Sequence, residues 1–153
     1  MRQHRRPPTS KPAVVAGCLC LLISAAAYVA AFIRLASFLD GEGEVVPTMT
    51  AAILLCIAAV GTGFLGSWLL VEHWLAVIVG AVHLLAAGPS LVGSVLDLTD
   101  YLSATGYAGF GALLIIMVGN PLLMIGACIA MVVAVGGLVY VSRNRQYAES
   151  EIA

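Results

Sequence analysis

From residue 13 to residue 141 the chain carries seven charged side chains, Arg34, Asp40, Glu42, Glu44, Glu72, Asp97 and Asp100, and between the short breaks that hold most of them run long apolar stretches. A water-soluble domain places about a quarter of its residues as charges on its surface. Here 10% of the 153 residues are charged and 61% are hydrophobic, which leaves too little polar surface to clothe a soluble core. A helix that satisfies its own backbone needs no such clothing in lipid. The chain therefore reads as an all-α polytopic membrane protein, with room for one bundle and no second domain.

A hydrocarbon layer of roughly 30 Å takes about 20 helical residues per crossing. Four stretches qualify, at about 13–36, 48–71, 74–96 and 119–141, flanked by a basic tail over 1–12 and a second tail over 142–153. The acidic, glycine-containing Asp40-Gly-Glu-Gly-Glu44 ends the first crossing. Pro47-Thr48 is a suitable start for the second, because proline is tolerated in a first turn and threonine can cap. Glu72-His73, between Trp68 and Trp74, marks a tight turn between interfacial aromatics.

The last stretch is too long for one perpendicular crossing and is interrupted by Asn120-Pro121. Counting back from Tyr140 puts Asn120 about 30 Å away, where asparagine as N-cap and proline at the first helical position would begin the crossing. Residues 109–118 are then left over, either as an extension of the last helix or as a re-entrant segment.

Lysine and arginine are retained on cytoplasmic flanks. Arg2, Arg5, Arg6 and Lys11 precede the first crossing, Arg143 and Arg145 follow the last, and the outer breaks hold only Asp40, Glu42, Glu44, Asp97 and Asp100. Both termini are expected inside, at the plasma membrane. The N-terminal tail is expected to hold anionic lipid head groups, each basic residue contributing about 1 kcal/mol, and no feature favours nucleic acid. Ala25-Ala26-Ala27 and Val15-Ala16-Gly17-Cys18 imitate cleavage sites of exported proteins. The apolar run before Cys18 is too short for a signal core, and retention of the segment is expected.

Chemistry-bearing residues are few. Cys18, Cys20, Cys56 and Cys128 all fall within crossings, and the Cys18-Leu19-Cys20 spacing turns two thiols to nearly opposite sides of a helix, unlike a redox CxxC pair. They read as small packing residues. His83 lies near the middle of the third crossing, where an ionisable group is a functional candidate by default. Its alternatives are a haem ligand, a proton relay, a donor to substrate, or a neutral structural histidine bonded to a hydroxyl or a backbone carbonyl. A bis-histidine haem site lacks its second imidazole, and the structural reading is preferred. Replacing His83 with Leu is accordingly expected to leave expression and assembly largely intact.

Arg34 is expected to snorkel to the head groups or reach Asp40. The spacing of Asp97 and Asp100 at a helix-to-loop transition could suit a cation, but with no third ligand in the sequence they are expected as solvated loop acids. Pro89 is expected as a fixed kink in the third helix in preference to a gating hinge. Small residues recur at four-residue spacing, as Ala59/Gly63/Ser67, Ala27/Ala31 and Gly126/Ala130, which lets helices approach closely. Such faces serve internal packing or partner docking. Gly63, Ser67 and Gly126, together with Phe110, Leu113 and Ile116 of the left-over segment, are the candidate partner-packing residues.

No nucleotide-binding glycine loop, HExxH or nucleophile elbow occurs. No catalytic residue, cofactor or metal is expected. Two functions fit: a non-enzymatic accessory subunit that stabilises or regulates a larger transport or respiratory complex through other integral membrane subunits, and a small oligomeric transporter or channel with His83 as its mid-membrane ionisable group. The size, the inward tails and the Ala/Val/Gly-rich crossings resemble the small four-span accessory subunits of bacterial respiratory supercomplexes and of mammalian-cell-entry-type lipid importers. That resemblance implies the first function. The chain departs from claudin-like four-span proteins, whose first outer loop carries paired cysteines and a tryptophan, because 40–46 has neither.

Overall fold

The structure is a computed structural model that describes residues 11–70, 73–103 and 109–150, with the side chains of 12–70, 75–103, 109–139 and 142. The expected contacts of the N-terminal tail and the turn at Glu72 lie outside the described residues. All the described elements are helical: α1 (Lys11–Leu39), α2 (Val45–Leu70), α3 (His73–Ser103), α4 (Phe110–Leu114), a π-helical turn (Ile115–Gly119) and α5 (Asn120–Ser150). Four stretches, Pro12–Leu39, Val45–Leu70, Leu75–Ser103 and Phe110–Val139, are long and apolar enough to cross a membrane. At 1.5 Å per residue the 29, 26 and 31 residues of α1, α2 and α3 make rods of about 39 to 46 Å, taller than a hydrocarbon layer of roughly 30 Å.

The rods close into a ring. α1 packs on α2, α2 on α3, α3 on α4, the π-turn and α5, and α5 back on α1. The core at the centre of the ring is built from small residues, Ala27, Ala31, Ala52, Ala59, Ala86, Ala87 and Ala127, around the fully buried Tyr28, Leu35, Met49 and Leu123.

α1 stops for a local reason. Gly41 has φ of 85°, the left-handed conformation that glycine adopts without penalty. It lets Gly41 N–H reach the Phe38 carbonyl at 3.0 Å and Glu42 N–H the Ser37 carbonyl at 2.9 Å, the paired closure of a Schellman motif. α2 begins at Val45, three residues before the expected start. Pro47 is still in its first turn, where the missing N–H costs nothing.

Two other boundaries correct the sequence reading. α3 does not end near residue 96 but runs through Pro89 to Ser103. The last helix does not begin at Asn120, which is helical (φ −59°, ψ −47°) and follows the π-turn without a break, so it is no N-cap. Pro121 explains the π-turn. A proline inside a helix lacks the N–H its i−4 carbonyl needs, and its ring presses on that carbonyl, here of Met117. Widening the preceding turn, with Asn120 N–H bonded five residues back to Ile115, makes room for the ring and lets the helix continue. Residues 109–118 are thus a bent continuation of the last helix laid along α3.

Close approach is set by glycine. A Cβ on Gly66 would lie 2.8 Å from the Gly17 carbonyl oxygen, and one on Gly17 would lie 3.1 Å from the Gly66 carbonyl oxygen, so α1 and α2 touch backbone to backbone. Gly93 of α3 and Gly111 of α4 meet in the same reciprocal way.

Candidate functional site

α3 gathers the buried polar groups onto one side. His83, Ser90 and Ser94 are fully buried, Asp97 is partly so, and each has a side-chain nitrogen or oxygen that is sealed from solvent without a hydrogen-bond partner: His83 Nε2, Ser90 Oγ, Ser94 Oγ and Asp97 Oδ2. At about 100° per residue, positions 83, 90, 94 and 97 fall within a sector of roughly 60°. They form a column about 21 Å long at 1.5 Å per residue, from mid-helix to the level of α4. Asn120 Oδ1, opposite, is sealed in the same manner.

At the deep end, His83 meets Tyr28 of α1. The phenol oxygen lies 2.9 Å from His83 Nδ1 and 3.0 Å from the His83 carbonyl, and the two rings are nearly parallel, 10° apart with centroids at 5.8 Å. Tyr28 has one proton. Given to the carbonyl, it leaves the oxygen to accept from Nδ1–H, which fixes the imidazole as the neutral Nδ1–H tautomer. Nε2 is then a bare lone pair without a partner, and the face of the ring lies against α2. There Gly63 makes the space, because a Cβ on it would stand 2.8 Å from Cδ2, Cε1 and Nε2 of the ring. Gly126 of α5 performs the same service for Tyr28, its notional Cβ being 3.0 Å from the phenol Cζ and 2.9 Å from the Ala86 methyl. Nearby, Ser24 donates to the Ala59 carbonyl at 2.7 Å and joins α1 to α2.

At the shallow end stands Asp97, which the sequence placed in a solvated loop. It belongs to α3, and its carboxylate accepts the backbone N–H groups of Gly111 and Ala112. Those are the second and third residues of α4, the donors an N-cap side chain ordinarily satisfies. The residue in the capping position, Gly109 with φ of 87°, has no side chain to offer. Asp97 supplies the cap from the neighbouring helix through Oδ1, since Oδ2 has no partner. Asp97 and Asp100 then line a cavity of about 250 Å³ with Phe38, Val45, Tyr101 and Ala112.

Midway, Ser90 Oγ is the atom nearest to a notional Cβ on Gly119, which places the hydroxyl against the last residue of the π-turn. A hydroxyl inside a helix ordinarily bonds the carbonyl four residues back. Ser67 does so, to Gly63 at 2.8 Å, and Ser90 and Ser94 do not.

The other candidates separate cleanly. Gly63, Ser67 and Gly126 are buried inside the bundle, where of the two uses open to such small-residue faces they serve internal packing: Gly63 lies against His83, Gly126 against Tyr28, and Ser67 bonds its own helix. Phe110, Leu113 and Ile116 are exposed on the bent segment. Arg34 is exposed near the C-terminal end of α1. Pro89 lies in α3 beside Ser90, away from any chain break. Cys18 and Cys56 are buried, Cys20 is half-buried and Cys128 exposed, all as free thiols. Among the described residues no three His, Cys, Asp or Glu side chains come together.

Sequence reasoning found His83 but missed its partner and the rest of the column. Two spacings carried the missing signal: Ser90, Ser94 and Asp97 at i, i+4 and i+7, and a leading Gly109 that calls for a cap from elsewhere.

Together these observations define a four-helix protein of the polytopic membrane class with a polar column on its third helix. No protein family, curated protein or solved structure matches the chain.

Proposed function

We propose that the chain is a non-enzymatic integral membrane subunit that stabilises or regulates a larger transport or respiratory assembly. In this reading it sits in the plasma membrane with both termini on the cytoplasmic side. The observation that carries the reading is how its mid-membrane ionisable group is used. His83 is spent on holding α1 to α3, under a lid made by the Gly63 backbone. A histidine clamped by a second helix and roofed by a third favours a rigid body over a moving one. The backbone contacts at Gly17/Gly66 and Gly93/Gly111 point the same way.

A rigid apolar body acts through its outer surface. Around the π-turn Phe110, Leu113, Ile116, Met117 and Val118 are exposed, which supports a partner contact with neighbouring membrane helices. The test is extraction of the tagged chain in mild detergent followed by mass spectrometry. Stoichiometric co-purification of a fixed set of integral membrane subunits is expected, and its weakening by Ile116→Ser combined with Leu113→Ser. Recovery of the chain alone or as a homo-oligomer sinks the reading.

A second reading, a small oligomeric transporter, draws on the unpartnered polar atoms of the α3 column. Solute flux in liposomes reconstituted with the chain alone, abolished by Ser94→Ala, would favour it.

A further inference from the structure

The outer half of the α3 column holds oxygens without donors. Asp97 Oδ2, Ser94 Oγ, Ser90 Oγ and Asn120 Oδ1 are all sealed from solvent, and none has a hydrogen-bond partner. A buried carboxylate oxygen in that condition is costly, because it has left water and gained nothing in exchange. Hydroxyl, amide and carboxylate oxygens are the ligand types that hard cations select. We propose that the seam between α3 and the α4/π-turn segment is a binding site for a monovalent metal cation of the sodium or potassium class, with Asp97 and Ser94 as its principal ligands.

The placement fits. Residues three apart on a helix have Cβ atoms about 5–6 Å apart, so Ser94 and Asp97, both turned to the buried side, can bring Oγ and Oδ2 to one ion. Ser90 and Asn120 lie one turn deeper, Ser90 Oγ against Gly119, the neighbour of Asn120. They supply further oxygen, directly or through water. The cavity with Asp97 and Asp100 on its wall provides the route from outside.

The charge selects the valence. One carboxylate enters the seam, and one of its oxygens is already engaged by two amide N–H groups, which leaves it to balance a single positive charge. Divalent calcium takes six to eight oxygens, commonly with several carboxylates. Among the described residues no three His, Cys, Asp or Glu side chains gather, so the shell would be made up by hydroxyl and amide oxygens beside the carboxylate. The consequence is mechanical: the ion would fasten α3 to the last helix beside the Gly93/Gly111 approach and the Asp97 cap. The inference does not depend on the accessory-subunit reading, and co-purification of partners does not bear on it.

The experiment is thermal unfolding of the isolated chain in phosphatidylcholine nanodiscs, in NaCl, KCl or choline chloride at constant ionic strength. A ligand that binds only the folded state raises its melting temperature in a saturable way. The wild type is expected to melt several degrees higher in NaCl or KCl than in choline chloride. Ser94→Ala and Asp97→Asn are expected to lose that difference. Asparagine keeps an oxygen for the Gly111 and Ala112 N–H groups, and Ser94→Ala leaves that cap untouched, so at least one variant folds. Thr62→Ala, whose hydroxyl is bonded to the Ala58 carbonyl on the exposed side of α2, should retain it. Equal melting of the wild type in choline and metal chlorides overturns the proposal. So does a metal effect that survives undiminished in Ser94→Ala.

Discussion

A methyl group at position 63 would stand 2.8 Å from three atoms of the His83 ring, and neither side has slack: the ring is held by Tyr28 and the methyl would be fixed to the α2 backbone. Gly63→Ala should therefore destabilise the bundle by about 1–3 kcal/mol, the usual scale of overpacking. The same change in a His83→Ala background should cost much less, since the obstacle has gone. Thermal unfolding of the single and double variants measures this, and equal losses in both would show that Gly63 matters for another reason. Tyr28→Phe removes both bonds between α1 and α3 at this level. Interhelical hydrogen bonds in membrane bundles average about 0.6 kcal/mol and reach roughly 1.7, so a loss near the upper value is expected. His83→Leu should cost less than Tyr28→Phe, because the phenol keeps the backbone carbonyl as acceptor. At this scale the sequence was half legible. An ionisable residue at mid-membrane announces itself by its cost. A tyrosine in an apolar run does not, because nothing in its neighbours says which helix it will face.

Among the elements, the bent last helix teaches the most. Asn-Pro is a good start signal in isolation, and the sequence reading took it so. The structure keeps the helix intact and takes up the proline by widening one turn, because residues 110–119 have a surface to lie on. Gly93 meets Gly111, Ser90 meets Gly119, and Asp97 caps the first turn. Tertiary packing overrides the local stop, and no local pattern reveals it. Pro121→Ala restores the missing N–H and favours the helix locally, alanine being about 3 kcal/mol better than proline in a helix interior. An ordinary α-helix there would lose the extra residue of the π-turn, and one residue corresponds to a rotation of about 100°. Gly111 would then turn away from Gly93 and Asp97. The variant should consequently melt lower than the wild type despite its better propensity, with faster amide exchange at Gly111 and Ala112. A variant that melts higher, with those amides still protected, would show that the π-turn is tolerated and not required. Asp97→Ala should unfold more easily as well, by roughly 0.5–2 kcal/mol for a lost cap.

For the molecule as a whole, the four crossings were legible from hydropathy because a bilayer imposes a length and a composition that packing details cannot override. What hydropathy could not give was the vertical offset between helices. Asp97 and Asp100 look like loop residues when a crossing is counted as about 20 residues, yet α3 has 31 and carries them upward while still helical. Rods this tall reach the head-group layer at both ends, so their tips, and not short loops alone, decide which side they face. The tips are unlike in charge. The α1–α2 connection holds Asp40, Glu42 and Glu44 and no base, whereas α5 carries Arg143 and Arg145 near its end. Basic residues resist translocation and acidic ones do so little, which predicts the acidic connection outside and both termini inside. With the four native cysteines replaced by alanine, Glu42→Cys should react with a membrane-impermeant maleimide in intact cells, and Arg145→Cys only after lysis. Reversing the bias should disturb the outcome: Arg143→Glu with Arg145→Glu, combined with Glu42→Lys and Glu44→Lys, is expected to give a mixed population, read with Ser150→Cys as the reporter in place of Arg145→Cys. If Ser150→Cys stays shielded in that variant, orientation is set by the N-terminal residues alone, and the basic α5 end is a passenger.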